Sequence, residues 1–330
     1  MAQQLIDGFG RAINNLRISV TDQCNFRCTY CMPEEGMIFM PRDEILTFEE
    51  ITRFATIAAR LGINKLRLTG GEPTLRKDLP VLVKMLADVP GIDDMAMTTN
   101  GFLLKKMARD LHEAGLPRVN VSIDTLDRQK FKDMTRRDAL EKVLEGLEEA
   151  EKYFSLPIKI NAVAIRDFTE EELVDFAALA RTRNYQIRFI EFMPLDADRT
   201  WTRDQVLTGA EIVDKISAIW PLEPVRRPEQ REPADLFRFK DGKGEIGLIA
   251  SVSEPFCANC NRIRITAEGK LRTCLFSLNE IDIKALLRGT ASDEEISHTI
   301  IDAVSKKEAG HQINDPDFIQ PERTMSSIGG

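Results

Sequence analysis

Residues 16–31, LRISVTDQCNFRCTYC, carry the strongest structural signal in this chain of 330 residues. The first seven, residues 16–22, include Leu16, Ile18 and Val20 and are rich in β-branched side chains, which predicts a buried strand. The next nine place cysteines at positions 24, 28 and 31 in the loop that follows this strand. Parallel α/β barrels build their sites in such loops, at the carboxyl ends of strands. The segment therefore predicts a strand that leads directly into a functional loop.

Outward from this segment, predicted strands and helices alternate as far as residue 220. The predicted strands are residues 16–22, 65–69, 94–99, 118–124, 158–165 and 186–192. The predicted helices are residues 47–61, 79–89, 103–114, 138–154, 170–182 and 210–220. Six β-then-α units favour a parallel sheet with right-handed crossovers. Because the motifs TDQC, TGGEP, TTNG, SIDT and EFMP all follow strand ends, we expect a partial, open TIM-type barrel rather than a doubly wound sheet.

Residues 221–330 differ in kind from the barrel. Residues 221–233 are rich in proline and charge, which indicates a linker after a barrel domain of residues 1–220. We expect an α+β region beyond it. Its predicted strands are residues 237–240, 245–252, 262–266 and 270–276, and its predicted helices are residues 281–287 and 293–306.

Composition excludes several classes of protein. Hydrophobic residues make up 43% and charged residues 30% of the chain, which is typical of globular proteins and excludes collagen-like and low-complexity chains. The 45 Lys and Arg against 53 Asp and Glu give a net charge of −8, which argues against general nucleic-acid binding. No apolar run is long enough to cross a membrane. We expect no secretory signal and a cytoplasmic location.

The six cysteines fall into two triplets, at positions 24, 28 and 31 and at positions 257, 260 and 274. Disulfide frameworks belong to small secreted chains, so clustered thiols in a chain of this size favour metal binding. Structural zinc needs four ligands, and none of the three histidines lies beside a triplet in the sequence. We also expect no catalytic role for these histidines. Three thiolates instead suit a 4Fe–4S cluster whose fourth iron stays open. A protein with two zinc sites and no enzymatic activity remains the alternative.

The spacing C-x₃-C-x₂-C, with an aromatic residue before the last cysteine, resembles the radical S-adenosylmethionine superfamily. The resemblance implies that these cysteines hold a 4Fe–4S cluster whose open iron chelates the methionine part of S-adenosylmethionine. One electron then cleaves the cofactor to a 5′-deoxyadenosyl radical. By the same resemblance, the cofactor contacts are Tyr30, Gly71, Glu72, Ser122 and Met193.

The second triplet, C-x₂-C-x₁₃-C with RIR at residues 262–264, narrows the resemblance to the GTP 3′,8-cyclase family, also called molybdenum cofactor biosynthesis protein A. No motif position departs from that family's pattern. The family consists of lyases that join C3′ of the GTP ribose to C8 of guanine, giving 3′,8-cyclo-7,8-dihydroguanosine triphosphate. The implied ligands of a second 4Fe–4S cluster are Cys257, Cys260 and Cys274. The implied GTP contacts are Arg17, Arg67, Thr98, Lys159, Arg262, Ile263 and Arg264, with Arg188 as a further candidate.

The placement of these basic residues agrees with that implication. Arg17, Arg67 and Lys159 interrupt otherwise apolar predicted strands, where an unpaired charge is costly, so we expect an anionic ligand. The chain contains no G-x₄-G-K-[ST] loop, which argues against a GTPase or ATPase. The terminal Gly329 and Gly330 suit a frayed end by default, but the resemblance implies a tail that reaches the active site.

The resemblance also implies partners. They are GTP as substrate, an electron donor such as flavodoxin or ferredoxin, and cyclic pyranopterin monophosphate synthase as recipient of the product. We expect the enzyme to be a monomer or a homodimer. A different radical enzyme with an auxiliary cluster, acting on a peptide or another nucleotide, is the second alternative.

Overall fold

The computed structural model describes residues 4–35, 37–225 and 232–329. The elements before residue 220 are β1 Asn15–Ser19, α1 Phe48–Arg60, β2 Lys65–Thr69, α2 Leu79–Ala87, β3 Asp94–Thr99, α3 Leu104–Glu113, β4 Arg118–Ser122, α4 Arg128–Thr135, α5 Leu140–Ala150, β5 Ile158–Ala164, α6 Leu173–Thr182, β6 Tyr185–Glu191 and α7 Gly209–Ser217. The later elements are β7 Leu222–Pro224, β8 Asp235–Phe239, β9 Glu245–Ile249, β10 Arg262–Ile265, β11 Lys270–Arg272, β12 Ile281–Asp282, α8 Ile283–Arg288, α9 Asp293–Ser305 and α10 Met325–Ile328.

Local sequence explains many of these elements. The Thr47 side chain accepts a hydrogen bond from the Glu50 amide and the Glu50 carboxylate accepts one from the Thr47 amide, so α1 begins with the expected capping box. Ile51, Phe54 and Ala58 then recur at helical spacing and are buried against the sheet. Strands β2 and β3 have the predicted bounds, because each is a short apolar run between turn residues.

The strands form one open sheet in the described part of the chain, in the order β12-β11-β10-β1-β2-β3-β4-β5-β6-β9-β8-β7. The eight strands from β10 to β9 in this order are parallel, and the outer strands at both edges pair antiparallel. The predicted α/β fold with six β-then-α units is therefore confirmed. What the sequence did not indicate is that β9 and β10, from the C-terminal region, extend the parallel barrel at its two sides.

Several predicted boundaries are wrong. The first strand ends at Ser19, so residues 20–22 already belong to the loop, and β11 ends at Arg272, which leaves Cys274 in a loop. Helix α4 is not predicted at all, although Asp127 caps it by accepting a hydrogen bond from the Lys130 amide at 2.8 Å. Strand β7 lies inside the predicted linker. Pro224 is tolerated there because β7 is an edge strand. Residues 226–231 of the predicted linker lie outside the described residues.

The larger of two hydrophobic clusters among the described residues joins the inner helical faces to the sheet. Phe54 of α1 and Phe176 of α6 are fully buried in it, and Phe176 meets Phe189 of β6 edge to face at 5.8 Å between ring centroids. None of the helices that the structure describes has the length and apolar character needed to cross a bilayer.

Candidate active site

A cavity of about 370 Å³ runs along the inner face of the parallel strands to the loops at their carboxyl ends, and all six cysteines line it. Such a volume is within the range of small-molecule sites, roughly 300–1,000 Å³. A more open depression of about 510 Å³, lined by residues 180–186 and 243–245, lies at the amino ends of β6 and β9, and none of its lining residues is a cysteine. Because the fold places sites at the carboxyl edge, the cysteine-lined cavity is the candidate active site.

The first triplet occupies a tight loop after β1. The amides of Cys31 and Met32 both donate to the Cys28 carbonyl, at 2.9 and 3.0 Å, and the Arg27 guanidinium donates to the Cys24 carbonyl at 2.7 Å. Burial raises the pKa of Cys24 to about 12 and that of Cys31 to about 11, while Ser326 works against the rise at Cys31. These thiols are therefore protonated unless a cation binds them.

The second triplet has a different electrostatic environment. Burial raises the pKa of Cys257, with the neighbouring thiols adding to the effect. Burial alone would raise the pKa of Cys260 too, but the positive charges of Arg262 and Lys307 outweigh it and lower the pKa to about 6. The Arg262 guanidinium lies 3.7 Å from Cys260 Sγ. Cys260 is therefore mainly a thiolate at neutral pH, which is the form that binds metal.

Both triplets fit a 4Fe–4S cluster with one open iron. Each supplies three thiols to the same cavity, and within each triplet the thiols are close enough to shift one another's pKa. Among the described residues, no group of three or more His, Cys, Asp or Glu side chains surrounds a single-ion position. In a cluster each thiolate binds a different iron, so its ligands need not converge on one point.

The glycine loop after β2 lies against the first cysteine loop. The Gly71 amide donates to the Thr21 carbonyl at 2.8 Å, and the Glu72 amide donates to the Gln23 carbonyl at 2.7 Å. A Cβ atom on Gly71 would lie 2.4 Å from the Gln23 oxygen, so only glycine fits there. The buried Glu72 carboxylate accepts hydrogen bonds from the amide and hydroxyl of Thr74, from the Thr99 hydroxyl and from the Asn100 amide. Glu72 thus joins the loops that follow β2 and β3.

Three arginines form a row across neighbouring parallel strands. Arg17 of β1 is in register with Arg264 of β10 on one side and with Arg67 of β2 on the other, and all three line the cavity. Burial, together with the charges of Arg264, Arg262 and Arg67, holds the pKa of Arg17 well below its usual range. Within the described residues no carboxylate pairs with Arg17, and Arg67 Nη1 has no hydrogen-bond partner. Like charges on adjacent strands repel, so this row favours an anion.

All but one of the remaining predicted contacts line the cavity. They are Tyr30, Gly71, Glu72, Thr98, Ser122, Lys159, Arg188, Met193 and Arg262. Burial, reinforced by Arg188, lowers the pKa of Lys159 to about 7. Arg188 itself donates to Gln186 and pairs with Glu232. Ile263 is different, because its side chain is buried in the core between the cavity-facing Arg262 and Arg264, and only its backbone could face a ligand.

The C-terminal tail is inserted between β1, β2 and β10. Ile328 is fully buried, and the Gly329 carbonyl accepts hydrogen bonds from Arg264 Nη1 and Thr69 Oγ1, both at 3.2 Å. Gly329 has φ 80° and a Cβ there would lie 2.6 Å from Ser19 Cβ, so conformation and space both require glycine. The C-terminal tail is therefore packed into the protein up to and including Gly329, and it is not a frayed end. Gly330 lies outside the described residues.

Sequence reasoning overlooked several residues of the cavity, among them Asp124 and His311. Asp124 accepts a hydrogen bond from the Tyr30 hydroxyl at 2.6 Å and another from the Val163 amide at 2.9 Å, so it fixes the aromatic residue of the first cysteine loop. Its position in SIDT, directly after β4, was an available signal. His311 lies against Phe276 in the cavity wall, and no local pattern indicated this.

Comparison with known proteins gives consistent matches. Residues 18–180 match the family described as Radical SAM superfamily, and residues 185–313 match Molybdenum Cofactor Synthesis C. Proteins named GTP 3′,8-cyclase from Rhodopirellula baltica and Pelotomaculum thermopropionicum are 45% and 46% identical to this chain. Those matches cover 99% and 98% of this chain and 92% and 99% of the two relatives.

Solved structures show the same fold. Streptococcus suis SuiB bound to S-adenosylmethionine matches with a TM-score of 0.61 at 13% identity, over 97% of this chain and 78% of that one. Native anSMEcpe with bound AdoMet matches with a TM-score of 0.59 at 15% identity, over 94% of this chain and 93% of that one. At such low identity the likeness concerns architecture alone.

Proposed function

This chain belongs to the GTP 3′,8-cyclase family of radical S-adenosylmethionine enzymes, and from that premise we propose how its residues divide the reaction between them. It is a lyase of molybdenum cofactor biosynthesis that uses S-adenosylmethionine and two 4Fe–4S clusters. The proposed reaction joins C3′ and C8 of one GTP molecule. What remains to be assigned is which side chains hold each reactant.

We assign the cofactor to the half of the cavity that Cys24, Cys28 and Cys31 line. Cys24, Cys28 and Cys31 would hold a cluster there, and it would supply the electron for reductive cleavage of S-adenosylmethionine. Gly71 allows the glycine loop to lie against the cysteine loop, so backbone groups of both can hold the methionine amino and carboxylate groups. Tyr30, fixed by Asp124, packs beside the adenosine part, with Ser122 and Met193 as further contacts.

The arginine row is the observation that carries the assignment of GTP. A triphosphate bears several negative charges, and guanidinium groups bind phosphate in a bidentate manner. Arg264, Arg17 and Arg67 present three such groups side by side, and Lys159 and Arg188 add charge from β5 and β6. A net acidic protein with this concentration of partly or fully buried basic side chains has a local site for a polyanion.

The guanine base is assigned to the other end of the cavity. We place its edge against the open position of the cluster that Cys257, Cys260 and Cys274 would hold, because Arg262, at the start of β10, lies beside the Cys260 thiol and lines the cavity there. Holding the base and the phosphates of one nucleotide at separate points fixes the ribose between them. Such orientation lowers the entropic barrier to forming the new C3′–C8 bond within that molecule.

The tail contributes to enclosure of the site. Ser326 lies beside Cys31, and the Gly329 carbonyl oxygen accepts a hydrogen bond from Arg264, so the tail touches both the cofactor half and the substrate half. We propose that Gly329, together with Gly330, aligns the reacting site and limits access of water to the radical.

We also propose the partners and the location of the enzyme. Flavodoxin or ferredoxin supplies the electrons for the reaction, and cyclic pyranopterin monophosphate synthase takes up the product. Thiolate ligands favour a reducing compartment, which supports a cytoplasmic location. A division into residues 1–220 and 221–330 and a monomeric or homodimeric state remain predictions.

The test is anaerobic turnover with GTP, S-adenosylmethionine and a reductant, followed by identification of the nucleotide product. Cys24→Ala should abolish cleavage of S-adenosylmethionine, because the electron enters through the first cluster. Cys257→Ala should retain some cleavage but stop cyclisation, with iron falling from about eight to about four per chain on the two-cluster scheme. Cyclisation at the parent rate in Cys257→Ala would refute the role given to the second triplet.

A further inference from the structure

Arg11 is a buried arginine that neither the cofactor nor the substrate assignment uses. It lies in a short N-terminal hairpin in which Ile6 pairs with Ala12 and the Ile13 amide donates to the Leu5 carbonyl at 2.8 Å. Arg11 is 8% exposed, and its Nε donates to Asp7 Oδ2 at 2.5 Å. Asp7 balances the charge of the guanidinium, so Arg11 does not need a ligand.

The other donors of Arg11 hold backbone carbonyls from distant parts of the chain. Nη1 donates to the carbonyl oxygens of Cys257 and Ala309, both at 2.7 Å, and Nη2 donates to that of Glu308 at 2.6 Å. A guanidinium is planar and rigid, so these bonds fix the Cys257 loop against residues 308–309 in one geometry.

The same short segment also holds the loop of another cysteine. The Lys307 ammonium donates to the Thr273 carbonyl, and the Thr273 hydroxyl donates to Glu308 Oε2 at 2.7 Å. Thr273 directly precedes Cys274. Gly310 packs so closely that an added Cβ would lie 2.9 Å from Cys257 Cβ and 3.2 Å from its Sγ. Residues 307–310 therefore connect the loops of Cys257 and Cys274.

We propose that Arg11 is a positioning residue for the second cluster, acting through the Cys257 carbonyl and residues 307–310 to keep Cys257 and Cys274 at the separation that the cluster requires. The proposal rests on the assignment above of Cys257, Cys260 and Cys274 as ligands. Groups that orient metal ligands from outside typically change metal affinity by about 10–100-fold when they are removed. Loss of Arg11 should therefore loosen the second cluster and leave the first unchanged.

The experiment measures each cluster separately in the full-length chain. With Cys24, Cys28 and Cys31 all replaced by alanine, only the second cluster remains. In this background Arg11→Gln should speed release of iron to a ferrous chelator by about tenfold or more and alter the EPR signal of the reduced cluster. Arg11→Lys should be intermediate, since an ammonium can still donate to some of the carbonyls. Gly310→Ala, which displaces Cys257 directly, should act in the same direction.

Two controls separate positioning from general destabilisation. With Cys257, Cys260 and Cys274 replaced instead, Arg11→Gln should leave iron release and the EPR signal of the first cluster unchanged. Arg53 also pairs with a carboxylate, Asp293, and donates to two carbonyls, at Leu287 and Ala291, so Arg53→Gln should leave both clusters unchanged.

Three outcomes would overturn the inference or its premise. Equal acceleration of iron release from both clusters by Arg11→Gln would make Arg11 a general structural residue, and no acceleration in either Arg11→Gln or Gly310→Ala would remove it from the cluster altogether. A chain without the first triplet that binds no iron even with Arg11 present would instead refute the ligand assignment.

Discussion

Arg17→Met should weaken GTP binding and at the same time stabilise the free protein. Arg17 is the middle member of the arginine row, and a lost charge-assisted contact costs about 1.5–3 kcal/mol, which is a decrease in affinity of about 10–150-fold. In the absence of an anion the same side chain is unfavourable, because burial and three neighbouring arginines depress its pKa. Each unit by which folding lowers the pKa of a basic group costs about 1.4 kcal/mol of stability at pH values below both the folded and the unfolded pKa.

The stability gain can be expressed as a melting temperature. With an unfolding entropy of about 2.1 cal/mol/K per residue, a gain of 1 kcal/mol in this chain raises Tm by about 1.5 °C. Anaerobic calorimetry gives Tm, and equilibrium dialysis gives the Kd values for GTP and S-adenosylmethionine. Arg109→Met, at an exposed arginine that pairs with Asp110 on the surface, is the matched control and should change neither quantity. Unchanged GTP affinity in Arg17→Met, or a Tm below that of the parent protein, would refute the reasoning.

Three further predictions concern other parts of the cavity. Because the pKa of Lys159 is about 7 in the free protein, its amine is mostly neutral at pH 8.5, and binding of the triphosphate should restore its charge. Calorimetry of GTP binding in buffers of different ionisation enthalpy should therefore show uptake approaching one proton. This uptake should be absent in Lys159→Met. Deleting Gly329 and Gly330 should strongly reduce cyclised product and leave both clusters and Tm essentially unchanged, whereas full activity would make the tail dispensable. Gly71→Ala should weaken S-adenosylmethionine binding by about tenfold and leave GTP affinity unchanged, because the overpacking caused by the added methyl group costs about 1–3 kcal/mol. An equal loss of affinity for both ligands would indicate misfolding instead.

The parts of the fold that sequence predicts well are those whose signals are local. Strands β2 and β3 and the start of α1 follow from apolar runs, turn residues and one capping box, all within a few positions of each other. Helix α4 has a clear cap in Asp127 but only two buried hydrophobic residues, Phe131 and Met134, so its periodicity is too weak to predict it.

The candidate site was predictable in its residue types and not in its arrangement. The cysteine spacing and the glycine loop are contiguous motifs, so chemistry could be inferred from them. The arginine row depends on β10 pairing with β1, which are separated by more than two hundred residues, and no local pattern records that register. The same holds for Arg11, whose partner Cys257 is 246 positions away.

The measurement that tests the central claim most directly follows a single hydrogen atom. GTP carrying deuterium only at C3′ is incubated anaerobically with the enzyme, S-adenosylmethionine and a reductant, and the 5′-deoxyadenosine formed is examined by mass spectrometry. If the cavity holds the ribose between the two cluster sites as proposed, the 5′-deoxyadenosine gains one deuterium and the nucleotide product carries a new C3′–C8 bond. Unlabelled 5′-deoxyadenosine formed together with cyclised product would contradict the account.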